Sequence, residues 1–468
     1  AGAERMSAAE GRGLIIDLFA GGGGASIGIE AALGRRVDLA INHDAVAMAV
    51  HRANHPETRH LEADIWEVKP SEATGGAPVD LLWASPDCTH FSIAKGNVPR
   101  EQGIRSLAWV VIDWAREVRP RVIFLENVQE FSGWGPLGED GRPDKSRMGE
   151  TFRSWSAQLE RLGYSVDYRV LDASHYGAPT RRRRLFLVAR RDGLPIHWPA
   201  ATHGEGMSHE PTRTAAECID WSIPCPSIFA RRRQLAPKTL WRIAEGIRRF
   251  VLESPVPFLV PVGSSNHRGQ EIHISALHHE PQTSRKKSQL VAAFIAKHFG
   301  GVIGHELNRP IGALTARDHH SLSTATLASS DHGTVAGHPR ADALQLTCNR
   351  VADVRAFLTT YYGSGSAGQP LHRPARTITA KHRLGLVTVQ GVDYQINDIG
   401  MRMLEPHELL AAQFGVFAAN YDLSAARTKS AKVRLIGNSV CPEVAKALVA
   451  ANMATIPSIC RFDEGAVA

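Results

Sequence analysis

Apolar runs of strand length recur through residues 14–190, separated by stretches whose apolar positions follow a helical period. Residues 14–19, 37–41, 79–84 and 122–125 are dominated by Leu, Ile, Val, Ala, Phe and Trp, the pattern of strands covered on both faces. Residues 27–33 and 106–118 read as helices. In the second, Ser106 serves as cap, Leu107, Val110, Val111 and Trp114 share one face, and Arg119-Pro120 ends the run. Residues 148–162 predict another helix, and residues 166–171 and 185–189 two more strands. Strand and helix in alternation predict an α/β fold with a doubly wound, mostly parallel sheet.

In such sheets ligands gather at the carboxyl ends of the strands, so the residues just past each apolar run carry the candidate chemistry. The first run leads into Ala20-Gly21-Gly22-Gly23-Gly24-Ala25-Ser26, a turn that lets a cofactor approach backbone amides. Its spacing is not the dinucleotide fingerprint, and no Lys-Ser/Thr follows as in a phosphate-binding loop. The second ends in Asn42-His43-Asp44, Glu62-Ala63-Asp64-Ile65 offers a further strand end, and the run 79–84 leads into Ser85-Pro86-Asp87-Cys88. A lone cysteine is more often a small buried hydrophobe. Here the polar company of Asp87, Thr89, His90, Lys95, Gly96 and Asn97 makes Cys88 a candidate nucleophile, and the charged, Gly-containing residues 93–103 a candidate lid. The run 122–125 ends in Glu126-Asn127-Val128, where a low-dielectric setting favours a protonated carboxyl; Glu126 is a candidate acid, with helix capping as the alternative. Arg181, Arg182, Arg183 and Arg184 form a charge run that would ordinarily be a solvated face. Beside a candidate acid and thiol, carboxylate and phosphate contacts gain weight.

Between residue 196 and about residue 370 the helical period weakens and Gly, Pro, Ser, His and Arg rise, with basic clusters at Arg231-Arg232-Arg233, Arg248-Arg249 and Arg285-Lys286-Lys287. Residues 308–317 and 372–381 resemble each other, reading as a duplicated unit or as chance in a Thr- and Ala-rich region. Regular order returns near Ile399, with a helix over 406–414, a segment 433–440 folding back beside the first strand, and a last helix over 442–453. The domains expected are 1–195, 196–395 and a return to the first over 396–468. A chain of 468 residues, 43% hydrophobic and 22% charged, supports this number of units. No run reaches the length of a membrane span, and the first dozen residues are small and polar, unlike a secretory signal, with Met6 fitting a native start. The 6 cysteines form neither CxxC pairs nor a dense framework, which points to a reducing cytoplasm. Among 22 histidines, the pairs His278-His279 and His319-His320 lack metal-ligand spacing and read as solvated or partner-facing; no metal site is expected. A net charge of +7 favours a polyanionic partner.

Taken in order, Asp17 to Gly24, Asp64-Ile65, Cys88 with Phe91-Ser92, Glu126-Asn127-Val128, Gly177 to Arg184, Arg373-Pro374 with Thr377-Ile378, and Ile436-Gly437-Asn438-Ser439-Val440 followed by Pro442 resemble the DNA (cytosine-5) methyltransferases. The match covers about residues 14–190 and 370–450. It implies the class I S-adenosylmethionine-dependent methyltransferase fold with a smaller irregular target-recognition domain, and DNA lying in the cleft between them. It also implies S-adenosyl-L-methionine as cofactor, held by Phe19, Ala20, Gly21, Gly23, Gly24, Asn42, His43, Asp64, Ile65, Ser85, Asn438, Ser439 and Val440. Phe19 would face the adenine, Gly21 and Gly23 the methionine part, and Asp64 the adenine edge. Cytosine C5 is a poor nucleophile, so the chemistry asks for a thiolate adding at C6 and a carboxyl group at N3 and the exocyclic amine; Cys88 and Glu126 suit these tasks. Arg184, with Arg182 as companion, matches the family's contact to the base O2, and the target base would be flipped from the duplex.

The sequence departs from the family at Asp87-Cys88-Thr89, where Pro-Cys-Gln is usual, and at Asn42, where a glutamate holds the ribose. Thr180 stands where the arginine motif has Gln, and Gln413-Phe414-Gly415-Val416 replaces Gln-Gly-Phe-Pro. The expectation is a site-specific enzyme acting on double-stranded DNA as a monomer in a bacterial or phage-type cytoplasm, with or without a cognate restriction enzyme. Two alternatives stand beside it. One is an RNA cytosine-5 methyltransferase, distinguished by nucleic-acid competition. The other is a catalytically silent DNA-binding regulator, distinguished by adduct formation on 5-fluorocytosine DNA.

Overall fold

The computed structural model describes residues 13–86, 107–138, 143–206, 208–254, 257–261, 290–299, 301–317, 319–329, 386–389 and 392–453. They divide into two compact units: one of Ala1–Arg213, Gly312–Arg317 and Leu409–Ala468, the other of Thr214–Ile311 and Asp318–Glu408.

The first unit is built on strands β1 (Leu14–Leu18), β2 (Leu39–Asn42), β3 (Arg59–Glu62), β4 (Val79–Ala84), β5 (Val122–Asn127), β6 (Ser165–Asp172) and β7 (Arg183–Arg190). Among the described residues they form a 7-stranded sheet in the order β3-β2-β1-β4-β5-β7-β6. The first five are parallel, and β7 runs antiparallel between β5 and β6. Helices α1 (Gly24–Leu33), α2 (Ala45–Asn54), α3 (Pro70–Thr74), α4 (Trp109–Glu117) and α5 (Glu150–Arg161) follow their strands in sequence. The period-2 geometry of a strand explains the near-continuous apolar runs, because successive side chains feed two cores. Ile16, Leu18, Leu82, Ile123 and Leu125 point to one face, with Trp114 of α4 and Trp155 of α5. Ile15, Leu81, Trp83 and Phe124 point to the other, with Ile29 of α1 and Leu448 and Val449 near the C-terminus. Arg119 adopts a left-handed φ of 47° immediately before Pro120, which ends the chain's helical path after α4.

Residues 196–213 remain with the first unit, later than the expected boundary at 195. The His197 amide donates to Asn452 Oδ1 at 3.0 Å, Asn452 Nδ2 donates to the His197 carbonyl at 2.8 Å, and Trp198 Nε1 donates to Asp167 Oδ2 at 2.7 Å. The strip Gly312–Arg317, inside the first copy of the sequence echo, also belongs here.

The second unit holds α6 (Pro237–Ile247) and the strands β8 (Leu259–Pro261), β9 (Leu290–Lys297), β10 (Gly304–His305), β11 (His320–Ser329), β12 (Leu386–Val389) and β13 (Val392–Met403). They make an antiparallel sheet in the order β10-β9-β11-β13-β12, with β8 on β9. Ile243, Ala244 and Ile247 of α6 pack on Ala292, Phe294, Ala325, Leu327 and Ile399. Of the histidines read as solvated, His319 stacks on Phe299 with centroids 5.0 Å apart and His320 is buried, its pKa pushed down to about 3 chiefly by burial. His278-His279 lie outside the described residues. Arg248 pairs with Glu245 at 2.5 Å and Glu253 at 2.6 Å, and Arg249 with Glu245 at 2.6 Å, so this basic cluster is committed to carboxylates.

The described residues end with α7 (Pro406–Phe414), α8 (Lys429–Asn438) and α9 (Pro442–Met453). Residues 433–438, expected to fold back beside β1, are the second half of α8; it is Ser439 and Val440, past the helix end, that lie against the start of α1.

Candidate active site at the strand ends

Register places the strand ends level. Leu18 pairs with Ala84, and Ala84 with Leu125, so Phe19, Ser85 and Glu126 emerge side by side. The Ser85 amide donates to the Leu18 carbonyl at 3.3 Å, and its hydroxyl accepts from Trp83 Nε1 at 2.9 Å. Asn127, buried, donates through Nδ2 to the Pro86 carbonyl at 3.2 Å and accepts the Val128 amide at 2.9 Å. The chain is thus clamped two residues before Cys88. Cys88, its neighbours Asp87 and Thr89, and residues 93–103 lie outside the described residues.

Glu126 is 7% exposed, lies within β5 opposite Phe186, and has Arg184 Nε 3.3 Å from its Oε1. A place inside the strand rules out the helix-capping alternative. The four arginines are not one face. Arg182 is buried, its Nη1 donating to the carbonyls of Leu314 at 3.1 Å and Gly437 at 2.9 Å. Arg184 turns to Glu126, while Arg181 and Arg183 are exposed. Burial pushes the Cys225 thiol up to about 11 and that of Cys441 up to about 12, so both stay protonated.

The glycine turn between β1 and α1 takes left-handed φ at Phe19 (59°), Gly21 (54°) and Gly23 (99°). Gly23 precedes α1 without a side-chain cap. First-turn amides left without a capping side chain suit a carboxylate ligand. A Cβ on Gly24 would fall 2.1 Å from Ser439 Oγ and 2.4 Å from the Val440 carbonyl, so only glycine lets this C-terminal turn approach. Gln413 Nε2, from the segment that departs from Gln-Gly-Phe-Pro, donates to the Ser439 carbonyl at 2.8 Å, a contact not expected from the sequence. Asn438 and His43 are exposed, Ala20 and Val440 buried. Asn42 Oδ1 accepts the Asp44 amide at 2.8 Å, and Asp44 in turn caps α2 and meets Arg434 at 2.9 Å. Asp64, exposed, accepts the Trp66 amide at 3.1 Å, and Ile65 is buried behind it.

Beneath the turn runs a polar chain that the apolar pattern hid. Ser26 Oγ lies 2.7 Å from Asp17 Oδ2 and 3.1 Å from His51 Nε2, and His51 Nδ1 lies 2.9 Å from His60 Nε2. One proton arrangement satisfies it: His60 Nε2–H donates to His51 Nδ1, His51 Nε2–H to Ser26, and Ser26 to Asp17. Burial raises Asp17 to about 7 and lowers His51 to about 2.

A sheet in this order is that of a doubly wound α/β protein, with an acid, an arginine and a glycine turn at one rim of its strand ends. The chain belongs to the C-5 cytosine-specific DNA methylases, whose family model matches residues 14–453. It is 28% identical over 235 residues to the Type II methyltransferase M.AquIA of Picosynechococcus sp., covering 47% of this chain and 93% of that one. It is 32% identical over 216 residues to the Type II methyltransferase M.SacI of Streptomyces achromogenes, covering 40% of this chain and 50% of that one. Among solved structures, a Spodoptera frugiperda DNMT2 variant aligns with a TM-score of 0.50 at 15% identity, over 94% of this chain and 98% of that chain, a likeness of fold. Among the described residues no helix is long and apolar enough to cross a membrane.

Proposed function

We propose that this chain methylates C5 of a flipped-out cytosine in double-stranded DNA through a covalent adduct on Cys88. The observation that carries the reading is the Glu126–Arg184 pair at 3.3 Å, next to Asn127 holding the Pro86 carbonyl two residues before Cys88. A thiolate at Cys88 would add to C6 of the ring, placing electron density on C5. Glu126, buried, would donate a proton to N3 and accept from the exocyclic amine as that density develops. Arg184 would hold Glu126 in place and reach the base O2, whereas Arg182, spent on two carbonyls, supports the site through Leu314 and Gly437. S-adenosyl-L-methionine, when bound, supplies the methyl group. The uncapped start of α1 would take its carboxylate, Phe19 and Ile65 its adenine, and Asn42 its ribose, with Ser439 and Val440 closing the turn. Water would then take the C5 proton, the freed electron pair re-forming the C5–C6 double bond as the bond from C6 to sulfur breaks and Cys88 leaves as thiolate. Family membership and the Type II relatives support duplex DNA over RNA as substrate, and the unit Thr214–Ile311, Asp318–Glu408 as the part that recognises it. Incubation with duplex DNA carrying 5-fluorocytosine and S-adenosyl-L-methionine should trap the protein covalently, because fluorine cannot leave as the proton does. Absence of a trapped species with a wild-type chain that binds both would refute the covalent route.

A further inference from the structure

The glycine turn is held from the far end of the chain. Gly22 does not have a left-handed φ, so its backbone would accept a side chain. What excludes one is a single atom: a Cβ there would lie 2.6 Å from the Tyr421 hydroxyl, whereas the nearest other side chain, Val50, stands at 3.6 Å. The same hydroxyl donates to the Gly22 carbonyl. Tyr421 is fixed in turn. Its ring meets buried Phe414 with centroids 4.6 Å apart, and the next residue is clasped by Asn54 at the end of α2. Asn54 Nδ2 donates to the Asp422 carbonyl at 2.9 Å, and the Asp422 amide donates to Asn54 Oδ1 at 2.8 Å. Burial keeps the phenol protonated and so a donor.

We propose that Tyr421 is a positioning residue for cofactor binding, its hydroxyl fixing the Gly22 peptide and so aiming the turn and the first amides of α1 at the cofactor's carboxylate. The proposal rests on the cofactor reading above. A hydrogen bond to the middle of a glycine-rich turn acts on the segment with most backbone freedom to lose, so its effect falls on ligand affinity.

The test measures binding of S-adenosyl-L-homocysteine by calorimetry to the full chain, alongside the melting temperature of each protein. Tyr421→Phe removes only the hydroxyl and should weaken binding roughly five- to thirtyfold. Gly22→Ala should also weaken it, by driving the Cβ into the hydroxyl. The double variant Gly22→Ala/Tyr421→Phe should bind like Tyr421→Phe alone, because the clash and the anchor are the same atom. Affinity unchanged in Tyr421→Phe, even with a lowered melting temperature, would reduce the tyrosine to a structural role and overturn the inference. Single effects that simply multiply in the double variant would overturn it as well. A wild-type chain that does not bind S-adenosyl-L-homocysteine would instead sink the cofactor reading, and this inference with it.

Discussion

Buried Glu126 and half-buried Arg184 form a pair at a strand end, where the transition state of the proposed reaction would develop charge. Glu126→Gln keeps the shape and one donor but loses the transferable proton. It should lower the single-turnover rate about 10²- to 10⁴-fold while leaving DNA affinity near wild type. Equal losses in both would make Glu126 structural. Cys88→Ala should abolish transfer and retain binding in a filter assay; near-normal turnover would overturn the nucleophile. At this scale the sequence pointed to Glu126 because a carboxylate following four apolar residues is conspicuous. The resemblance set Arg184 apart from its companion Arg182, but the charge run alone does not say which guanidinium meets a carboxylate and which meets main-chain carbonyls. The partners of Gln413 and Tyr421 were illegible for another reason: they lie 26 and 399 residues away.

Strands β1, β2, β4 and β5 of the first unit were legible because they serve two cores, and an unbroken apolar run is hard to mistake. Helix α8, with the sequence KSAKVRLIGN, carries too little apolar contrast to announce itself. The second unit's strands are rich in Ala, Ser and Thr, as in HSLSTATLAS of β11, which blurs the alternation on which sequence reading depends. Two predictions belong here. Gly24→Ala should push α1 from the Ser439–Val440 turn and cost about 1–3 kcal/mol, read as a lower denaturant midpoint with unchanged slope. In the second unit, Glu408 is 0% exposed and accepts both Arg402 Nη1 and Nη2 at 2.7 Å, with the Asp220 amide at 2.8 Å. Arg402→Leu would strand that carboxylate and should cost about 3–5 kcal/mol; a loss below about 1 kcal/mol would show the pair to be dispensable.

Across the whole molecule, buried ionisable groups set how stability responds to pH. Burial lowers His51 to about 2, His60 and His298 to about 4, and His320 to about 3. Each is neutral in the fold and takes up a proton near its ordinary value when unfolded. Their stabilising effect is therefore complete above about pH 6.5 and is lost as pH falls towards 4 and below. Asp17, raised to about 7, works in the opposite sense: its contribution is full at low pH and lost as pH rises through 7. Four groups outweigh one, so the melting temperature should fall between pH 7 and pH 5. A flat or rising profile would show that these histidines are solvated. The net charge of +7 suits a polyanionic partner, and DNA affinity should drop with salt at a log-log slope of roughly 0.9 per phosphate contacted.

The central claim is transfer to cytosine C5 in duplex DNA, and its most direct test is reaction of the full chain with S-adenosyl-L-methionine and mixed-sequence duplex, followed by base-resolution mapping of modified cytosines. The account predicts 5-methylcytosine confined to one short sequence motif, and none in the Cys88→Ala reaction. Methylation of RNA in preference to duplex DNA, or no transfer by a chain that binds both DNA and cofactor, would contradict it.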